Sequence, residues 1–176
     1  MPGQEQANVK ELQEKVVHYF CDRPSNFPAG RPYNCCESVL LALAEYFGMV
    51  SELIPRIGTA IGAGVGLNGL LCGSISSVAV IAGIKYGRTS PEENPQPAWN
   101  MIDEYLAAFR EKFGAVNRRE LTGVNMKTPE GWQKYITEIH DYKCTDRLKF
   151  AVEKGIEILS RPGKTAAERF DRLLKP

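Results

Sequence analysis

Glycine occupies positions 58, 62, 64, 66, 69 and 73, the densest run of it in this 176-residue chain. Such a run interrupts any regular helix or strand, so the ordered elements must be laid out on either side of it. Its centre, Gly64-Val-Gly-Leu-Asn-Gly69, spells G-x-G-x-x-G, the glycine pattern of loops that bind a dinucleotide pyrophosphate. That function needs a strand before the loop, a helix after it and a second strand with an acidic residue about 20 positions on. Ile57 to Ala63 can stand as the first strand, but Gly87-Arg-Thr-Ser-Pro-Glu-Glu-Asn94 cannot form a buried second one. A nucleotide is therefore not expected. The glycines Gly64, Gly66 and Gly69 instead let the chain turn tightly beside another backbone or a bound group, and they lead directly into Leu71-Cys72-Gly73.

Elsewhere apolar residues recur at the helical period, and alternating strand patterns bounded by turns are missing. A first helix is expected over about Gln6 to Phe20, with Val9, Leu12, Val16, Tyr19 and Phe20 on one face. Prolines then break the chain between Arg23 and Pro32. A second helix starts at Asn34, an N-cap residue followed three positions later by Glu37, and stops at Gly48. A short helix from Ser51 should fray into the glycines, and a buried helix should cover about Leu70 to Tyr86. Further helices are expected over Ala98 to Phe113, Pro129 to Ile139 and Cys144 to Leu159, with a short turn at Asn117 to Leu121 and a terminal helix over Thr165 to Leu174. The expected fold is all-α: a single helical domain over 1–176, built as a compact bundle of about six to eight short helices.

Charge excludes some partners. Lys plus Arg number 22 against 21 Asp plus Glu, so no basic surface points to nucleic acid or an anionic membrane. The most apolar window, Leu70 to Ile84, is shorter than the roughly 20 residues a membrane span needs. The first fifteen residues carry no secretory pattern, so a cytoplasmic location is expected.

The five cysteines, Cys21, Cys35, Cys36, Cys72 and Cys144, form an odd set in such a chain, where structural disulfides are rare. No C-x-x-C-H occurs, which excludes c-type haem attachment, and C-x-x-C is absent too. Cys35 and Cys36, Cys72 and Cys144 each fall near an expected helix start. A helix N-terminus carries partial positive charge and free N–H donors, which lower a thiol's pKa and favour the thiolate that binds metals or attacks disulfides. If the three starts converge, Cys35, Cys72 and Cys144 make a reactive thiol cluster. Cys36 points about 100° away from Cys35 on a helix, so one of the two faces a shared site. Cys21 closes a helix, where burial as a small apolar group is the expectation. His18 is expected on the surface, and His140, four residues before Cys144, reads as a solvated helix end with a second reading as a neighbouring ligand.

Tyr33-Asn-Cys35-Cys-Glu-Ser-Val-Leu40, the glycine loop Gly62 to Gly69, Leu71-Cys72-Gly-Ser-Ile-Ser-Ser77 and Gly83-Ile-Lys-Tyr-Gly87 together resemble a family of redox-active proteins named for a C-G-A-x-x-G motif and four cysteines. The similarity continues through Phe109 to Gly114, Val116-Asn-Arg-Arg-Glu-Leu121 and the region of Cys144, over most of Asn34 to Ile158. A related helical region occurs in split-Soret cytochromes c, whose haem-binding segments this chain lacks. The resemblance implies an all-α protein with a cysteine-based redox or metal site, including an iron–sulfur cluster among its options. The first, second and fourth family cysteines fall on Cys35, Cys72 and Cys144, while the third falls on Arg118. The central motif is C-G-S-x-x-S here.

A four-thiolate cluster or closed zinc site would therefore need a substitute ligand: Cys36, then His140, water, or a cluster bridging a homodimer. Arg118 could instead hold a thiolate or an anionic substrate. The reading is a redox or electron-transfer protein with an unspecified redox partner, acting through Cys35, Cys72 and Cys144, with Cys36 added if a metal is bound. Its alternatives are a non-catalytic metal- or small-molecule-binding module, with the glycine loop as one wall of a pocket, and a structural member of the family that has lost a ligand at Arg118.

Overall fold

A computed structural model describes residues 8–26 and 29–161, and among them it contains eight α-helices and no strand. They are α1 (Val9–Cys21), α2 (Cys35–Tyr46), α3 (Gly58–Val65), α4 (Gly73–Tyr86), α5 (Gln96–Phe113), α6 (Arg118–Thr122), α7 (Pro129–Glu138) and α8 (Thr145–Leu159), with a π-helical turn, His140–Cys144, leading into α8. The all-α expectation holds. Gln6 and the terminal helix expected over Thr165 to Leu174 lie outside the described residues.

Helices α2, α4 and α8 meet at the centre, with α1 packed on α2 and α8, and α5 packed on α4 and α8. Val39, Leu40 and Leu43 of α2, Ile75, Val78 and Ile81 of α4, and Leu148 and Leu159 of α8 are all sealed from solvent. Each such side chain stabilises the fold by about 1.5–3 kcal/mol relative to exposure. The stripe expected on α2 is thus present, with Phe47 at its edge only partly buried. Met101, Tyr105 and Phe109 of α5 are buried as their spacing requires, and Tyr105 and Phe109 join Phe113 and Phe150 in a ring cluster. Helix α4 is buried on most of its circumference, serines included, as its sequence predicts. Even so, no helix among the described residues is long and apolar enough to cross a membrane.

Two boundaries differ from expectation. The short helix expected from Ser51 is a series of turns, with Ile54 N–H on the Ser51 carbonyl and Ile57 N–H on the Leu53 carbonyl, and right-handed helix forms only over the first turn of α3, from Gly58, before a kink at Gly62. Asn34 explains why. Its Nδ2 donates to the carbonyls of Gly58 (3.4 Å) and Thr59 (3.2 Å), which pins the start of α3 to the cap of α2. The second difference is at α4, which begins at Gly73 rather than Leu70, because Leu71 pairs with Asn117 in an antiparallel bridge that keeps the chain extended up to Cys72.

Candidate functional site: a buried thiol and guanidinium cluster

Cys35 is the first residue of α2, and its position is set by a capping box. Asn34 Oδ1 accepts from the N–H groups of Cys36 (2.9 Å) and Glu37 (3.1 Å), while Glu37 Oε2 accepts from Asn34 N–H (2.7 Å). Glu37 Oε1 also accepts from the Thr59 hydroxyl at 2.6 Å, so the same carboxylate joins α2 to α3.

Cys72 is the N-cap of α4 and is extended, with its N–H on the Val116 carbonyl at 3.0 Å. The next residue has to be glycine: a Cβ on Gly73 would stand 2.3 Å from Cys35 Sγ and 2.9 Å from the Cys36 nitrogen. The start of α4 therefore lies directly against the start of α2. This brings Cys72 and Cys35 into one site.

The glycine loop serves the same assembly. Ala63 to Leu67 run through left-handed backbone, and Gly64, at φ +72°, passes so close to α6 that a Cβ there would lie 3.0 Å from Arg118 Cβ. The Leu70 and Gly69 carbonyls accept the N–H groups of Arg118 (2.7 Å) and Arg119 (3.0 Å). Gly64 and Gly69 thus pack on α6, and Gly66 caps α3 in the left-handed conformation with open space beside it. Of the four residues expected to contact a cofactor, Gly64 lies against Arg118 and Gly69 against its neighbour Arg119, Gly66 faces open space, and what the loop holds is the backbone of Arg118.

Arg118 is 3 % exposed. Its Nη1 is 3.9 Å from Cys35 Sγ, its Nε is 3.1 Å from Met126 Sδ, and its guanidinium lies 4.8 Å from the centroid of the Tyr135 ring in a cation–π contact. Burial works against its charge, but the ionisable Cys35, Tyr135, Cys144 and Cys72 around it more than offset that and hold it charged. No carboxylate among the described residues forms an ion pair with it. A buried guanidinium is stabilised by a nearby anion, and the ionisable groups closest to this one are thiols and a phenol.

Cys144 ends the π turn, with its N–H bonded to the Ile139 carbonyl at 3.2 Å and its sulfur 3.9 Å from both the Tyr135 hydroxyl and Arg147 Nη1. It stands at the start of α8 as its N-cap, as expected, but the π turn runs straight into α8 and occupies its N–H. Arg147 is a second buried guanidinium here, with Nη2 donating to the Leu121 carbonyl at 2.7 Å. Arg147 and Tyr135 are absent from the sequence reading. Arg147 was open to discovery, since it follows Cys144 by three residues and so shares its helical face.

The expected lowering of the thiol pKa values is reversed for Cys72 and Cys144. Burial pushes the Cys72 thiol up to about 11, the nearby Cys35 adds to this, and the Ser74 N–H and Arg118 only partly oppose it. Cys144 is also raised by burial, against the pull of Arg118, Arg147 and the Tyr135 hydroxyl. Desolvation thus outweighs the helix dipole.

Cys36 is sealed in the core and its thiol is raised by burial, then by Cys35, Glu37 and Cys72. Cys35, not Cys36, faces the guanidinium. His140 stacks on Phe20 at 4.1 Å and bonds Asp141 rather than approaching Cys144. Cys21 is half-buried against the core, with its thiol 3.7 Å from Asp141 Oδ1. Among the described residues, the three His, Cys, Asp or Glu ligand atoms that lie within 4.8 Å of one another are those of Cys21, His140 and Asp141, not those of the buried cysteines.

Fold and site together define an all-α protein whose buried thiols, from three separate segments, surround an arginine. Over residues 33–158 the chain matches the model of the family described as "Putative redox-active protein (C_GCAxxG_C_C)", and it belongs to that family. Neither a curated protein nor a solved structure matches it. Arg118 supplies a guanidinium, which cannot ligate iron, so the donor set is one thiolate short of a four-cysteine cluster.

Proposed function

We propose that the protein is a thiol-based redox protein in which Cys35 and Cys72 form the reacting pair and Arg118 pairs with the Cys35 thiolate. The observation that carries this reading is the buried Arg118 guanidinium facing Cys35 Sγ at 3.9 Å without a carboxylate partner among the described residues. An acceptor disulfide R–S–S–R is the oxidant. The Cys35 thiolate attacks one of its sulfurs, forming a Cys35–S–S–R bond and releasing RS⁻. The Cys72 thiolate then attacks Cys35 Sγ, forming the Cys35–Cys72 disulfide and releasing the second RS⁻. Two electrons pass to the acceptor, and the two protons of the protein thiols end on the two released thiols.

Arg118 stabilises the attacking thiolate at Cys35, Tyr135 holds the guanidinium plane, and Cys144 stands as the third thiol beside the same cation. The placement of Cys72 against Gly73 and Cys35 supports it as the resolving partner.

Thiol counting against the potential of a thiol–disulfide buffer tests the reading. Two thiols should be lost reversibly in the wild type and in Cys36→Ser, and none in Cys35→Ser or Cys72→Ser. A full set of thiols under every oxidising condition would overturn it. Stoichiometric iron and sulfide in anaerobically purified protein would replace it with a cluster of three cysteine ligands.

A further inference from the structure

A second group of ligand-type side chains lies outside the buried cluster. Cys21 closes α1, and His140 and Asp141 open the π turn, 120 residues further along the chain for the Cys21–Asp141 pair. Cys21 Sγ is 3.7 Å from Asp141 Oδ1, and His140 Nδ1 is 2.5 Å from the same oxygen. The three ligand atoms all fall within 4.8 Å of one another. A tetrahedral zinc ion with bonds of about 2.0–2.3 Å separates its ligand atoms by roughly 3.3–3.7 Å. The sulfur–oxygen separation already has that length. The nitrogen–oxygen pair has to open by less than about an ångström, which the Asp141 side chain can supply by rotation, being 65 % exposed.

The imidazole is held from one side. It stacks on Phe20 with an interplanar angle of 12° and meets the edge of Tyr135 at 5.5 Å between centroids. That packing fixes the ring plane before any metal arrives, and the His140 side chain keeps 22 % exposure, so an ion can enter from solvent. Thiolate, imidazole and carboxylate are together the donor set of a borderline divalent ion, and three protein ligands leave a fourth position for water.

We infer that Cys21, His140 and Asp141 form a binding site for a single zinc ion or a similar borderline divalent cation, separate from the buried thiols. Binding replaces the Cys21 thiol proton with the metal and breaks the hydrogen bond between His140 and Asp141. It also ties the last residue of α1 to the π turn that carries Cys144, so that an event at the surface bears on the position of a thiol in the buried cluster.

Cobalt(II) is a direct probe, because a thiolate-bound ion shows a charge-transfer band in the near ultraviolet. Reduced full-length protein should take up one cobalt per chain with this band, and zinc should bleach it. Cys21→Ser should abolish the band, His140→Ala should weaken binding by at least about tenfold, and Cys35→Ser should retain it, with circular dichroism verifying that each variant is folded. A measurement on the wild type needs no variant: zinc should protect Cys21 from iodoacetamide, read by mass spectrometry, and leave labelling of the buried cysteines unchanged. No band, a band that survives in Cys21→Ser, or protection confined to the buried cysteines would overturn the assignment.

Discussion

The guanidinium of Arg118 faces the sulfur of Cys35 at 3.9 Å, across the junction of α2 with α6. By the resemblance, Arg118 stands where the family pattern carries its third cysteine, which would exchange one ligand for one cation in the middle of a thiol site. Such an exchange changes the electrostatics as well as the ligand count. A four-thiolate site accumulates negative charge and needs metal to balance it. Three thiols around a buried cation can balance without one.

Arg118 should therefore govern thiol reactivity. A cation within about 4–6 Å lowers an acid's pKa by roughly 1–3 units, and removing it reverses the effect. In Arg118→Gln the pH midpoint for alkylation of the cluster by iodoacetamide should move up by about one unit or more, while Arg118→Lys should move it less. Arg118→Cys restores a fourth thiol, and anaerobic reconstitution with iron and sulfide should then give a visible chromophore that the unaltered chain does not form. An unchanged alkylation profile in Arg118→Gln would remove the pairing with Cys35.

The Cys72 thiol makes stability depend on pH in the alkaline range. Its ordinary value near 9.0 is pushed up to about 11 by burial, so the folded state holds the proton more tightly than the unfolded chain. The stabilisation is complete below about pH 9 and is lost as pH rises toward about 11, because the unfolded chain ionises first. The loss should be on the order of 2 kcal/mol. Urea unfolding between pH 8 and 11, roughly the window this linkage sets, should show the decline, and Cys72→Ala should flatten part of it.

Much of this site could be read from one chain because its markers are local. Asn34 with Glu37 specifies a helix start, and Cys35, Cys72 and Arg118 fall at matched positions of a known pattern, so the structure places them together as expected. What was not legible depends on distant partners. Asn34 captures Gly58 and Thr59 and so moves the helix from Ser51 onto the glycines. The π turn runs into α8 and occupies the N–H of Cys144, and burial reverses the pKa direction that a helix dipole alone would set. The meeting of Cys21 with Asp141 and His140 has no local mark at all.

Asn34 is the residue on which the site's frame depends most. Loss of an N-cap side chain costs about 1 kcal/mol, and Asn34 also carries two bonds to α3 through Nδ2. Asn34→Ala should lower stability by about 1–2 kcal/mol in denaturant unfolding. Asn34→Asp keeps the acceptor for Cys36 and Glu37 but has no donor for Gly58 and Thr59. It should lose less: its own loss measures the hold on α3, and the difference between the two variants isolates the cap. Equal losses would place the whole effect in the bonds to α3.

Two glycines of α4 should respond to alanine in opposite directions. At Gly73 the new methyl would meet Cys35 Sγ at 2.3 Å and the Cys36 backbone nitrogen at 2.9 Å. The sulfur can rotate away, but the nitrogen belongs to the capped first turn of α2 and can move only by separating α2 from α4. Overpacking of this kind costs roughly 1–3 kcal/mol, and because the displaced atoms are those of the redox pair, Gly73→Ala should also slow disulfide formation between Cys35 and Cys72. At Gly83, inside the same helix, a methyl meets nothing within 4 Å. Alanine there removes the backbone entropy cost of glycine and should stabilise by about 0.5–1 kcal/mol, with the thiol chemistry unaltered. Thermal unfolding of the two variants, with thiol oxidation rates measured alongside, separates the requirement for glycine at the α2–α4 contact from a general effect of alanine in α4. A stable Gly73→Ala would contradict the close approach at Gly73, and a destabilised Gly83→Ala would contradict the open space beside Gly83.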